Sequence, residues 1–127
     1  PGFYIDDPQA VILGTYCELG LPAYGLKEMD GWTSVYCAPQ VLRAELLASL
    51  AEYAGCHLYN KEDDILFANK NFVTLHASYK GKHTLYFKHP CSPFEVYEKR
   101  YYGHNVTTLT LEMRMGDTLM FSLHGEC

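Results

Sequence analysis

A chain of 127 residues, 48% hydrophobic and 20% charged, has the make-up of a folded protein rather than a disordered one, with room for one domain or two small ones. Its formal net charge of −5, with ten scattered Lys and Arg, argues against a nucleic-acid or anionic-membrane surface. No run is long and apolar enough to span a bilayer. No signal peptide precedes Pro1 and no Met opens the chain, so the sequence reads as a segment excised from a longer protein.

Ala10 to Cys17 is an apolar run with β-branched and aromatic residues, which predicts a strand covered on both faces. Leu21 to Lys27 and Trp32 to Cys37 read as two more strands. Met29-Asp30-Gly31 joins them, since Asp-Gly adopts the positive φ angles of a tight turn. From Ala38 to Gly55, apolar Val41, Leu42, Leu46, Leu47, Leu50, Tyr53 and Ala54 recur at helical spacing. Pro39 suits a first helical turn, and Gly55 stands where a helix stops. Cys56 to Tyr59 reads as a short strand, and Asn60 to Asp64 as a polar loop.

Beyond it, strand-like stretches follow at short spacing: Ile65 to Ala68, Phe72 to Ala77, His83 to Lys88, Phe94 to Lys99, Val106 to Met115 and Thr118 to Leu123. Turn residues separate them, among them Asn69-Lys70-Asn71, Lys80-Gly81-Lys82, the segment His89 to Pro93, and Gly116-Asp117. The clearest alternation places Leu109, Leu111, Met113 and Met115 inward, with Leu119, Phe121 and Leu123 continuing that face. The expected fold is α+β and mainly β: one helix packed on short strands, then an antiparallel sandwich-like or barrel-like domain. A shift of texture puts the boundary between residues 1–56 and 57–127.

No catalytic constellation emerges. Glycoside cleavage needs two carboxylates across a sugar ring, and spacing pairs none of Glu18, Glu28, Glu95 and Glu112. Ser34 and Ser122 lack a nucleophile elbow and a nearby base. Glu62, Asp63 and Asp64 read as a solvated loop, because a calcium loop needs alternating ligands and a Gly at its sharp turn. The six histidines, His57, His76, His83, His89, His104 and His124, are dispersed and suit surface or half-buried strand positions. Cys17, Cys37, Cys56, Cys91 and Cys127 form no short-spaced pair, so neither zinc nor a disulfide framework is expected. Cys17, Cys37 and Cys56 read instead as small buried hydrophobes in a reducing, cytoplasmic compartment. No cofactor site is visible.

Aromatic residues are the one excess: eleven Tyr, six Phe and Trp32. Rings exposed on a sheet stack on sugars, which makes Trp32, Tyr36 and Tyr97 the candidate stacking residues of a carbohydrate-binding module. The plainer explanation is strand propensity, which also enriches Tyr and Phe.

Three stretches carry a resemblance: Trp32 to Tyr36; Leu46-Leu47 with Ala51 to Tyr59; and Asp64 to Phe72 with Leu75-His76-Ala77. They resemble the C-terminal end of bacterial proteins related to the beta-galactosidases of glycoside hydrolase family forty-two. In that family a TIM barrel carries the catalytic glutamates, a flavodoxin-like trimerisation domain follows, and a small antiparallel β domain closes the chain. The resemblance implies that residues 1–56 correspond to the last strands and final helix of the trimerisation domain, and 57–127 to the closing β domain. It thus implies a non-catalytic accessory region whose partners are an N-terminal catalytic domain outside this sequence and further copies of itself. Uncovered strand edges and a bare helix flank would drive that self-association.

Overall fold

The computed structural model describes residues 2–39 and 42–124; these are mainly β, with 49% strand and one short helix among them. The elements are β1 (Val11–Thr15), β2 (Pro22–Met29), β3 (Trp32–Cys37), α1 (Ala44–Tyr53), β4 (Ile65–Ala68), β5 (Phe72–His76), β6 (Gly81–Glu95), β7 (Arg100–Tyr101), β8 (Val106–Met113) and β9 (Thr118–His124). They fall into two compact units, Pro1–Leu46 and Leu47–Cys127.

The first unit is an antiparallel sheet in the order β1-β2-β3. Met29 pairs with Trp32 across the Asp30-Gly31 turn, and Gly31 supplies the left-handed φ of 80° that closes it. β1 is not the covered strand its apolar sequence suggests: Val11, Ile12 and Leu13 are all exposed. Periodicity cannot tell a doubly covered strand from an edge strand, and β1 lies at the edge of its sheet with an irregular register near Gly14.

The helix is shorter than Ala38 to Gly55. The Ala38 amide is already committed to the sheet, donating to the Ala23 carbonyl at 2.9 Å, so Pro39 opens no helical turn and α1 begins at Ala44. Val41 lies outside the described residues. The far end behaves as Gly55 suggests. Gly55 takes φ of 77°, its amide donates to the Glu52 carbonyl, and the Cys56 amide donates to the Ala51 carbonyl, which makes a Schellman cap. No α1 residue is buried.

The second unit holds six strands in the order β4-β5-β9-β6-β7, with β8 pairing β6 separately. β6 is the organising element. The sequence reads as two strands broken at His89 to Pro93, yet one strand runs through both prolines. Residues Gly81 to Tyr86 pair with β8, while Ser92 to Glu95 pair with β9 and, at Phe94 and Glu95, with β7. Its inward phase survives the bend: His83, Leu85 and Phe87 are buried before Lys88-His89-Pro90, and Cys91, Pro93 and Glu95 after it. Proline is tolerated where a ladder is interrupted, and the β6–β8 register is broken between Tyr86 and Cys91. The segment Cys56 to Tyr59 forms no strand, but Tyr59 and His57 hydrogen-bond to the Tyr86 amide and carbonyl at 2.8 Å each.

Apolar side chains from the layers meet in one core: Val73, Leu75 and Ala77 of the β5 segment, Leu85 and Phe87 of β6, Leu109, Leu111 and Met113 of β8, and Phe121 of β9. Full burial of a Leu or Phe side chain is worth about 1.5–3 kcal/mol. Met115 breaks the alternation and is 73% exposed, because β8 ends at Met113 and the chain turns at Gly116.

Two polar groups interrupt the core. His83 Nδ1 lies 2.7 Å from Asp64 Oδ2, both side chains being fully buried. The Ser78 amide donates to Asp64 Oδ1 at 3.0 Å, and His83 Nε2 lies 3.1 Å from the Tyr79 carbonyl. Asp64 is therefore no solvated loop residue and His83 no half-buried one. Both ring nitrogens thus lie within hydrogen-bonding distance of an oxygen. Elsewhere, buried Glu95 caps the β6–β7 turn by accepting the Glu98 and Met120 amides. Asp64→Ala leaves His83 Nδ1 and the Ser78 amide without their partner in the core and should cost about 1–3 kcal/mol in urea unfolding, whereas Lys82→Ala at an exposed position should change stability by less than about 0.5 kcal/mol.

Candidate functional site

The first unit carries a groove of about 400 Å³, within the range of about 300–1,000 Å³ typical of small-molecule sites. Its floor is one face of the β2–β3 hairpin. Strand period two puts Trp32, Ser34 and Tyr36 on the same side, opposite Met29, Lys27 and Gly25 respectively. Its wall is the segment before β1, which contributes Tyr4, Ile5, Asp7 and Ala10.

Three interactions hold the wall in place. The Ile5 amide donates to the Pro22 carbonyl at 3.0 Å, and the Tyr16 hydroxyl donates to the Phe3 carbonyl at 3.0 Å. Lys27 Nζ donates to Asp7 Oδ2 at 2.7 Å, a half-exposed ion pair. Gly25 makes the close approach possible, since a Cβ there would lie 2.7 Å from Ile5 Cδ1 and 3.1 Å from the Val11 carbonyl oxygen. Asp7 also accepts the Gln9 amide at 2.9 Å through Oδ1, so Asp7-Pro8-Gln9 forms a turn closed by its own carboxylate.

Asp7 thus accepts from an ammonium and an amide at once. The Lys27 hydrogen bond, reinforced by the Gln9 amide, holds its carboxyl below the ordinary carboxylate value. The groove offers a carboxylate, an ammonium and a hydroxyl between aromatic rings: polar atoms that orient a ligand and apolar faces that support it.

Of the three stacking candidates, Trp32 and Tyr36 come together in this groove, about 13 Å apart along the strand. Trp32 is 60% exposed. Tyr97 belongs to the second unit, in the turn between β6 and β7, and is 73% exposed. Asp7, Lys27 and Tyr4 were not legible as site residues. The only signal was Asp7-Pro8, a turn signature whose tertiary partner no spacing reveals.

Glu18, Glu28 and Glu112 are exposed on separate elements, and Glu95 is buried against backbone amides. Among the described residues no group of three His, Cys, Asp or Glu side chains could hold a metal ion. Cys17 and Cys56 are exposed and Cys37 is half-buried, so none of the three is the core hydrophobe its neighbours suggest; Cys91 is buried. Cys127 and the His124 side chain lie outside the described residues. On the second unit, Glu98 accepts from Tyr102 and Arg100 at 2.7 and 2.6 Å, and those two bonds lower its pKa, that from Tyr102 first. Among the described residues no helix is long and apolar enough to cross a membrane.

No family model, no curated protein and no solved structure matches this chain.

Because the folded-state pKa of Asp7 is depressed, the tether contributes stability above the unfolded carboxylate value and loses it as pH falls through the folded one. A carboxyl-carbon NMR titration should give Asp7 a midpoint below that of an Asp in an unstructured peptide, moving up towards it in Lys27→Met. A midpoint unchanged by that substitution would remove Lys27 as the cause.

Proposed function

We propose that this chain is a non-catalytic accessory region of a carbohydrate-active hydrolase of the beta-galactosidase-like type, which packs on a catalytic barrel and supports assembly. One observation carries this reading: the three-stranded sheet of the first unit leaves large apolar side chains bare on both faces. Val11 and Val35 flank Leu26 on one face, and Trp32, Tyr36 and Met29 lie on the other. Exposed apolar surface of this kind marks a face that another element covers, and both edges of the sheet are open for pairing. The stretches that resemble the hydrolase family fall on β3, on α1 with the segment that follows it, and on β4 and β5, so the resemblance spans both units. The reading includes a cytoplasmic setting, in keeping with the exposed free thiols of Cys17 and Cys56.

A second reading, a carbohydrate-binding module, is favoured by the placing of Trp32 and Tyr36 in one groove with a polar pair.

The accessory reading predicts no release of nitrophenol from a chromogenic β-galactoside. It also predicts concentration-dependent self-association in light scattering, which Val35→Lys weakens. Turnover of the galactoside, or a monomer at every concentration, would overturn it.

A further inference from the structure

We propose that the groove of the first unit holds a single neutral pyranose ring, stacked on Trp32 and hydrogen-bonded to Asp7, Lys27 and Ser34. The inference deepens the carbohydrate-binding reading by assigning the polar residues and the charge class of the ligand. It does not depend on the assembly reading.

The chemistry follows from what the groove leaves unused. Asp7 and Lys27 neutralise one another, so the site has no net charge to offer an ionic ligand. An acid would have to displace Asp7, and an amine Lys27, each at the expense of a 2.7 Å ion pair. A polyol avoids that choice. Asp7 accepts one hydrogen bond on each oxygen and retains a lone pair on each; Lys27 donates one and retains two. Ser34 sits directly across the hairpin from Lys27, and its hydroxyl has no hydrogen-bond partner among the described residues. Two acceptors, two donors and a hydroxyl in one patch match the alternating roles of vicinal hydroxyls, each of which donates and accepts.

Apolar contacts select a ring rather than an open chain. Trp32 lies two residues along β3 from Ser34, about 7 Å away, so a ring on the indole keeps its hydroxyl edge within reach of the polar patch. Aromatic faces bind C–H groups well, and a pyranose presents several on one side. Tyr36 is too far from Trp32 to share the same ring and closes the opposite end with Gly25.

Trp32 is the only tryptophan, so its emission reports occupancy of this groove directly. Titration of the full chain with methyl β-galactopyranoside and methyl β-glucopyranoside should give a saturable emission change in the millimolar range for at least one of them. Lys27→Met and Ser34→Ala should each weaken that sugar's binding by about tenfold, a typical loss for a polar anchor, while Tyr97→Ala leaves it unchanged. Ser34→Ala leaves the ion pair in place and decides the matter should Lys27→Met alter the far-UV spectrum. Absence of saturation with both neutral sugars overturns the proposal. So does tighter binding of glucuronate or glucosamine, or equal loss in Tyr97→Ala. A silent titration leaves the light-scattering result standing, and a monomer in light scattering leaves the titration standing, so the two readings fail separately.

Discussion

The second unit is built around a buried Asp–His pair in the place where a sandwich ordinarily puts hydrocarbon. Asp64 sits immediately before β4, and His83 lies in the inward phase of β6, with Ser78 and Tyr79 of the β5–β6 connection completing their hydrogen bonds. Removing polar groups from water is expensive, and the expense is tolerable only when every donor and acceptor is met. Here that condition holds, and no buried side-chain polar atom among the described residues lacks a partner. A pair of leucines would fill the same space but would accept neighbouring registers. Asp64 and His83 accept one, because a one-residue slip of β6 would turn His83 to the opposite face and strand the carboxylate.

The first unit uses the same device with the opposite economy. Its ion pair, Asp7–Lys27, is half exposed, and screening by water keeps its energetic weight small. Position is what it supplies. It holds a segment without regular structure at a fixed height above a two-strand floor, with Gly25 providing the clearance and Ile5 the contact. A short sheet that could not enclose a cavity by curvature thereby gains a wall, and the indole of Trp32 becomes part of a concavity instead of an isolated exposed ring.

Much of this was legible in the residues. β3 and β4 fall where their alternating or β-rich runs end, the Gly31 and Gly55 stops are obeyed, and Leu109, Leu111 and Met113 face inward. What was not legible depends on partners distant in sequence. An apolar run such as Val11 to Leu13 looks the same whether covered or bare. A double proline looks like a turn unless the neighbouring ladder is known to be interrupted there. Asp64 in a run of acids looks solvated until His83, 19 residues on, is brought to it. The groove shows the same limit: its aromatic floor could be named from β3 alone, but its polar residues come from a wall that no periodicity marks.

The continuity of β6 bears on how the second unit comes apart. A strand that serves both layers cannot release one of them without loosening the other, since Leu85 and Glu95 are buried along a single unbroken backbone. One backbone thus ties the β8 pairing of its first half to the β9 pairing of its second. Two-residue β7 and the exposed turn that carries Tyr97 lie at the margin of this arrangement, away from the core shared by β5, β6, β8 and β9.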